Sequence, residues 1–359
     1  MNIYVMYSGA TDVTGEAIKQ SLKAEGGQEL PKKPYDIFIG WGAKTKTAVK
    51  IQAKHILNHP DNIRSNRNKF EALKKLSKAG ITVGNFVEAS ATKVAAKLKL
   101  PVIGRTNYHQ SGKNFWLCLS MAQVKEAIAE GAQYFQEYLP ITQEYRMHVF
   151  GDVFYAVVKT KSKDPQKAYV ESHAEKIKNS AESAGKQIDE ASVKFALEKI
   201  ASRNTHSNPL LRSHAEGWTF KEVAAKTDIK ALSDVAIAAV KAVGLDFGAV
   251  DCGVTEDGKV VVLEVNSGPS LEGTSFTKWM AKFRQFVESK TTGAATKTKA
   301  PATTATVPAA EVINVAAPAD NSKKAKALMK ADLLKELLAS ADETQVDAIL
   351  AASAKMLSK

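Results

Sequence analysis

A pair of strand-like segments near residue 250 decides the fold of this chain of 359 residues. The first reads Gly248-Ala249-Val250-Asp251-Cys252-Gly253-Val254, and the second reads Val260-Val261-Val262-Leu263-Glu264-Val265. Between them stands Thr255-Glu256-Asp257-Gly258, which is typical of a tight turn. The pattern therefore predicts a β-hairpin that carries acidic residues within apolar strands.

Three oxygen-bearing side chains converge on this hairpin. Asp251 lies on one strand, and Glu264 and Asn266 lie on the other, where residues two apart point to the same face. An unpaired carboxylate among so many valines is costly, which favours a ligand. Mg²⁺ prefers oxygen donors and commonly takes one or two carboxylates, leaving positions for water and phosphate oxygens. The hairpin predicts a magnesium site, with Mn²⁺ as a substitute; two solvent-facing acids beside a turn are the alternative.

The sequence around the hairpin predicts an α/β fold. Strand patterns at 3–7 and 35–40 enclose a helical stretch at 14–24, the rhythm of a small parallel α/β domain over residues 1–60. A helix over 68–79 ends at Gly80 and precedes a predicted strand at 81–83. Strands dominate 101–161, and a helix over 229–243 leads into the hairpin. Residues 61–288 are thus predicted to form the main domain.

The composition changes after residue 288. Residues 289–322 are rich in Ala, Thr, Pro and Lys with few large apolar side chains, which predicts a flexible linker. Residues 323–359 carry a leucine stripe, and Ser340 with Glu343 forms a capping box, so this end is predicted to be a helical hairpin. Docking of a partner protein, self-association and an inert appendage are all open for it.

Composition excludes several classes of protein. No run of about 18 apolar residues appears, and the first residues read as a strand, so we expect a cytoplasmic protein without a membrane segment. Cys118 and Cys252 are too few for a disulfide framework or a thiolate metal cage. The formal charge of +12 favours anionic partners. The lysines are scattered, however, and no zinc-finger or RNA-binding signature is present, so an acidic or phosphorylated ligand is favoured over nucleic acid.

The order of these elements resembles the ATP-grasp superfamily, especially the peptide and amino-acid ligases of the ribosomal-protein glutamate ligase and D-alanine ligase kinds. The resemblance covers roughly residues 1–288 and implies an ATP-grasp fold with a two-lobed nucleotide site. Asp251, Glu264 and Asn266 match the magnesium triad of that family on paired strands. Ala249 departs from it, since several of these ligases carry an arginine at that position.

The resemblance also implies nucleotide contacts. Lys69, at the start of a helix that precedes Gly80-Ile81-Thr82-Val83, resembles a phosphate-binding lysine. Arg105 and residues 109–113 resemble the basic strand and the phosphate flap, although the family usually has lysine on that strand. Residues 136–139 resemble the adenine hinge, and Glu144 resembles the acid that holds the ribose. The cofactor-binding residues implied are Lys69, Arg105, Gln136, Glu137, Tyr138, Leu139, Glu144 and Lys159.

Two arginines are the catalytic residues that the resemblance implies. Arg146 would offset charge on the transferred phosphoryl group, and Arg212, in a segment that also contains His214, would orient a tetrahedral intermediate. We therefore expect an ATP- and Mg²⁺-dependent ligase that joins a small-molecule or peptide carboxylate to an amine through an acyl phosphate. An ATP-grasp phosphotransferase and a non-catalytic nucleotide-binding scaffold are the alternatives.

Overall fold

The structure, a computed structural model, describes residues 1–9, 12–109, 114–162, 212 and 218–292. Within these ranges the strands form three sheets with helices packed on them, so the predicted α/β class is confirmed. None of the helices in these ranges is long and apolar enough to cross a membrane. Residues 289–292 of the predicted linker are helical instead. The rest of that linker, the predicted helical hairpin at 323–359, and His214 lie outside the described residues.

The first sheet is parallel, with the order β2-β1-β3-β4. Its strands are β1 (Ile3–Tyr7), β2 (Glu25–Gly27), β3 (Tyr35–Trp41) and β4 (Ala53–Leu57). Helix α1 (Val13–Ser21) joins β1 to β2, and the Asp12 side chain caps it by accepting from the Gly15 N–H at 2.9 Å. The central strands β1 and β3 are buried along almost their whole length, as expected for a parallel sheet covered on both faces.

The second sheet is antiparallel, with the order β5-β8-β6-β7. Two consecutive helices, α2 (Pro60–Arg67) and α3 (Lys69–Lys78), precede it. Its elements are β5 (Phe86–Glu88), α4 (Ala91–Lys97), β6 (Val102–Arg105), β7 (Phe115–Cys118), α5 (Met121–Ala129) and β8 (Tyr134–Glu137).

The strand predicted at 81–83 is wrong. Gly80 ends helix α3 with a φ of 75°, and the segment after it forms no ladder with the second sheet. Instead, the Thr82 carbonyl accepts one hydrogen bond from the Val262 N–H at 2.9 Å. Residues 81–83 therefore cross toward the third sheet. The first strand after α3 begins only at Phe86.

The third sheet contains the predicted hairpin and positions the site. It is antiparallel with the order β11-β10-β9-β12-β13. Its strands are β9 (Ile141–Phe150), β10 (Asp152–Lys161), β11 (Trp218–Glu222), β12 (Phe247–Thr255) and β13 (Val260–Asn266). Helix α6 (Lys230–Ala242) buries one face, where Leu232 and Ala236 share a core with Met147, Val250 and Val262. Because side chains alternate along a strand, the residues between these apolar ones, including the charged ones, lie on the opposite face of the sheet.

A final helix, α7 (Gly273–Thr292), joins the first sheet to the third. Its Trp279 packs edge-on against Trp41 of β3 at 5.2 Å between ring centroids, and against Phe247 of β12 at 5.4 Å. Such aromatic pairs stabilise an interface beyond the area they bury. The helix ends four residues after the boundary drawn at 288, and it fixes the loop that follows β13.

Candidate functional site

Charged side chains occupy the face of the third sheet that α6 leaves uncovered. The strand register places Arg146 of β9 opposite Asp251 of β12, and Asp251 opposite Glu264 of β13. Asn266 lies opposite Ala249, one step further along the same face. The structure thus brings the three predicted metal ligands and the predicted catalytic Arg146 to one surface.

Asp251 and Arg146 form a buried ion pair. The Arg146 Nε and Nη2 atoms donate to the two carboxylate oxygens at 2.7 and 2.9 Å, and Asp251 is only 6% exposed. Burial works to raise the pKa of Asp251, but Arg146 outweighs it and the pKa is lowered. Burial likewise works to lower the pKa of Arg146, yet Asp251 raises it. Both groups are therefore charged, and the ring of Phe220 lies 4.7 Å from the guanidinium.

Glu264 is the more accessible of the two carboxylates. Its side chain is 35% exposed, and its Oε1 atom lies 2.5 Å from the Lys69 Nζ atom. Lys69 is the first residue of α3, which is capped by the Asn68 side chain accepting from the Glu71 N–H at 3.2 Å. A fixed helix terminus therefore holds the predicted phosphate-binding lysine against a predicted metal ligand.

The oxygen donors on this face fit a hard divalent cation. Asp251 and Glu264 offer carboxylates and Asn266 offers an amide oxygen, which is the donor chemistry that Mg²⁺ selects. Within the described residues, no three or more His, Cys, Asp or Glu side chains cluster in a way that suits a metal. Two carboxylates and one amide oxygen suit an ion that takes one or two protein carboxylates and completes its shell with phosphate oxygens and water.

The second sheet contributes another cation. Arg105 of β6 donates from Nη2 to the His109 Nδ1 atom at 2.5 Å, and its guanidinium lies 5.3 Å from the ring of Phe115. Burial lowers the pKa of Arg105, while the negative charge of Glu264 acts in the opposite direction. Its buried Nε atom has no hydrogen-bond partner among the described residues. The remainder of the predicted flap, 110–113, lies outside them.

The predicted hinge, residues 136–139, begins within β8, and two of its residues line a cavity of about 440 Å³. The Glu137 and Tyr138 N–H groups donate to the carbonyls of Asn85 and Pro101, at 2.9 and 3.1 Å. The Glu137 carboxylate accepts a hydrogen bond from Asn85 Nδ2 at 2.8 Å, so this side chain is bound to another part of the protein. Within the described part of the chain, the N–H of Leu139 makes no hydrogen bond. Glu137 and Leu139 line the cavity together with Gly84, Asn85, Pro140 and Val261.

Glu144, Lys159 and Arg212 gather at the hinge end of the charged face. Lys159 Nζ donates to Glu144, and burial raises the pKa of this acid although Lys159 opposes the shift. Arg212 donates to the Ile141 carbonyl and stacks on Trp218 at 4.9 Å. Ile141 lies five residues, or about 17 Å of strand, from the ion pair at Arg146. The structure thus brings Arg212 to the hinge rather than to the paired carboxylates.

His148 is a residue of this face that the sequence patterns did not single out. Its Nδ1 atom accepts from the Trp279 indole N–H at 2.9 Å, and its ring stacks on Tyr155 at 5.4 Å. It follows Arg146 by two residues on the same strand, so alternation along β9 was the signal that could have found it. Burial, assisted by the charge of Arg146, lowers the pKa of His148 to about 3. The imidazole is therefore neutral at physiological pH.

The stability of the protein is expected to fall as the pH drops from about 6.5 to 3. The unfolded state binds protons at His148 and His109 in this window, whereas the native state does not, because both pKa values are lowered to about 3. Replacing His148 with Asn keeps an acceptor for Trp279 and removes the titrating group. Urea unfolding at several pH values should show that His148→Asn loses less free energy of unfolding than the natural chain over this window, by up to about 5 kcal/mol, so that its slope of stability against pH is shallower. An unchanged slope would contradict a neutral, buried His148.

Matches to known proteins are found among solved structures. No family model matches the chain, and the search of curated proteins found no match. Among solved structures, the chain is similar to a RimK domain protein ATP-grasp from Sphaerobacter thermophilus DSM 20745. The TM-score is 0.49 at 14% identity, over 80% of this chain and 99% of that one.

Two further structures show similar agreement. The ATP-grasp ligase PsnB, complexed with a minimal precursor, aligns with a TM-score of 0.47 at 14% identity, over 76% of this chain and 92% of that one. N5-carboxyaminoimidazole synthetase from Staphylococcus aureus, complexed with ADP, gives 0.48 at 12% identity, over 76% and 72%. Two of these three neighbours are named as ATP-grasp proteins. A likeness this distant describes architecture and says nothing of the reaction.

Proposed function

We propose that this protein is an ATP- and Mg²⁺-dependent ligase that joins a carboxylate to an amine through an acyl phosphate. The observation that carries the proposal is the pairing of Asp251 and Glu264 on neighbouring strands, with cations from three separate elements around them. Arg146 of the same sheet and Lys69 at the start of α3 are each ion-paired with one of the two acids, and Arg105 of the second sheet interacts electrostatically with Glu264. Two carboxylates together with three cationic side chains suit the binding of a metal-bound polyphosphate.

The positions of the hinge cavity and of the charged face support one orientation of a bound nucleotide. The adenine base of ATP would lie in the hinge cavity, where the Leu139 N–H is available as a hydrogen-bond donor. Val261, in the wall of that cavity, precedes Glu264 by three residues, or about 10 Å of strand. A nucleoside triphosphate extended along β13 would then place its terminal phosphates beside Lys69 and Glu264. Glu144, at the hinge end of the face, is the acid proposed for the ribose.

The residues on the charged face would act by positioning and electrostatics. Asp251, Glu264 and Asn266 would hold Mg²⁺, which when bound neutralises phosphate charge. Lys69, Arg105 and Arg146 would offset the charge on the transferred phosphoryl group. Arg146 is already immobilised by two hydrogen bonds to Asp251, so little reorganisation is needed.

The proposed reaction needs no nucleophilic side chain. A carboxylate oxygen of the substrate forms a bond to the γ-phosphorus, the bond from that phosphorus to the ADP oxygen breaks, and an acyl phosphate results. The amine then attacks the acyl carbon, inorganic phosphate leaves, and the amine nitrogen loses a proton. The thiols fit no role here, because burial raises the pKa of Cys118 to about 11 and also raises that of Cys252.

The carboxylate and amine are proposed to be small molecules or peptides. The excess of basic residues favours acidic substrates. Arg212 is proposed as an orienting group for the acyl transfer, although its contacts lie at the hinge end of the face. The segment at 323–359 is proposed as a docking or self-association element of this ligase.

The test is ADP release with Mg²⁺, ATP and pooled amino acids and peptides, comparing the natural chain with Glu264→Ala. Loss of a metal ligand is expected to lower turnover by on the order of 100-fold or more. Glu126→Ala, an exposed acid on α5, is the matched control and should leave turnover unchanged.

The amine requirement separates the proposal from its alternatives. ADP release that depends on the amine and is lost in Glu264→Ala supports the ligase. Release without any amine requirement would favour a phosphotransferase. ATP binding without turnover under every mixture would favour a nucleotide-binding scaffold and overturn the proposed reaction.

A further inference from the structure

His109 connects Arg105 to the body of the second sheet. Its Nδ1 atom lies 2.5 Å from Arg105 Nη2, and its Nε2 atom lies 3.1 Å from the Tyr134 hydroxyl oxygen. Because a guanidinium only donates, Nδ1 is the acceptor and Nε2 carries the ring proton, which it donates to Tyr134. Both ring nitrogens of His109 are therefore occupied by one fixed tautomer.

The same unit extends to the helix that carries Lys69. The ring of Tyr134 packs against Phe70 with 5.7 Å between centroids, and Phe70 directly follows Lys69. The Lys69 N–H donates to the Asn107 carbonyl at 2.8 Å, and the Asn107 N–H donates to the Gln133 side chain at 2.7 Å. Lys69 and Arg105 are thus both anchored near the start of β8, through Gln133 and Tyr134.

We propose that His109 is a positioning residue that orients the Arg105 guanidinium toward the phosphates of the nucleotide. The inference rests on the proposed function, since it takes ATP as the ligand. Arg105 uses one terminal nitrogen for His109 and has further guanidinium N–H groups for a ligand, and its Nε has no hydrogen-bond partner among the described residues. A lysine has a single flexible ammonium group and offers no such division of donors. Arg105 and His109 therefore act together as one phosphate-orienting unit.

Two isosteric variants separate the two hydrogen bonds of His109. In His109→Asn, the side-chain oxygen replaces Nδ1 and keeps the bond from Arg105, while the bond to Tyr134 is lost. In His109→Gln, the terminal amide replaces Nε2 and keeps the bond to Tyr134, while the bond from Arg105 is lost. Tyr134→Phe removes the hydroxyl group alone and is the control that leaves the Arg105 bond intact.

The experiment measures the dissociation constant of MgATP by calorimetry on the full chain, without carboxylate or amine, alongside thermal unfolding. His109→Gln and His109→Ala are expected to bind MgATP about ten times more weakly than the natural chain. His109→Asn and Tyr134→Phe should stay within about threefold, although they also lose a hydrogen bond. A purely structural role predicts instead that MgATP affinity follows thermal stability across all four variants, which would overturn the inference.

A double-mutant comparison gives an independent decision. If His109 acts through Arg105, then adding His109→Ala to Arg105→Ala should not weaken MgATP binding further. A further tenfold loss in the double variant would show that His109 acts on its own and would overturn the inference. Failure of the natural chain itself to bind MgATP would overturn the proposed function and this inference with it. Normal MgATP binding by His109→Ala would overturn this inference alone.

Discussion

Replacing Asp251 with Asn is expected to abolish measurable ADP release and to lower the free energy of unfolding by about 3 kcal/mol or more. The substitution keeps the shape of the side chain but removes its charge. Arg146 then remains charged in a buried position without its bidentate partner. An uncompensated buried charge costs far more than the ion pair contributes, so the stability loss should exceed that of ordinary surface substitutions.

A second substitution distinguishes the two effects of Asp251→Asn. Adding Arg146→Met removes the uncompensated charge, so the double variant should recover most of the lost stability, as measured by urea unfolding. It should not recover ADP release, because both the metal ligand and the phosphate cation are gone. Asp234→Asn, which breaks an exposed ion pair with Lys230, is the control and should change stability by less than about 1 kcal/mol. Wild-type stability in Asp251→Asn would contradict the buried pair.

Local pattern was sufficient for the elements that carry the site. The hairpin at 248–265 was recognisable because valine-rich strands flank a turn of polar residues and glycine, and alternation put Glu264 and Asn266 on one face. The helix that starts at Lys69 was recognisable from its apolar spacing and from Gly80, which adopts a φ of 75°. These features depend on residues close together in the chain, where periodicity and turn chemistry act directly.

Local sequence patterns could not predict which charged side chains would pair with each other. Arg146 and Asp251 are 105 positions apart, and Lys69 and Glu264 are 195 apart. The pairing of Arg146 with Asp251 follows from strand order, which places β9 beside β12, and the pairing of Lys69 with Glu264 follows from where the start of α3 packs. The resemblance to ATP-grasp proteins implied a role for each of these residues separately. It did not indicate that the cations would form ion pairs with the predicted metal ligands. Strand order is a tertiary property, so burial and pKa at Asp251 required the structure.

Packing between distant segments also decided two features that sequence patterns did not predict correctly. Residues 81–83 are apolar enough for a strand, but the third sheet takes the Thr82 carbonyl and the segment crosses between sheets. His148 looks like an ordinary residue of β9 until Trp279, 131 positions later, donates to it. Both outcomes depend on where α6 and α7 pack, which periodicity within one segment cannot specify.

Replacing Gly268 with Ala is expected to lower the free energy of unfolding by about 1–3 kcal/mol and to weaken the Mg²⁺ dependence of ADP release. Gly268 follows Asn266 by two residues, in the loop that α7 and the first sheet enclose. An added Cβ would lie 2.6 Å from the Gly42 nitrogen and 3.0 Å from the Trp41 carbonyl carbon. These are backbone atoms, so the clash cannot be relieved by a side-chain rotation. The loop must move, and the Gly42 N–H then loses its bond to the Ser267 carbonyl at 3.2 Å.

The effect on activity should follow from Asn266 rather than from unfolding. A loop displaced at Gly268 shifts the end of β13, so a higher Mg²⁺ concentration should be needed for half-maximal ADP release at a temperature where the variant is fully folded. Gly27→Ala is the matched control, since an added Cβ there has nothing within 4 Å. It should leave both stability and Mg²⁺ dependence unchanged. If Gly268→Ala lost stability but kept the natural Mg²⁺ dependence, Asn266 would not be a ligand, and the metal site would reduce to Asp251 and Glu264 alone.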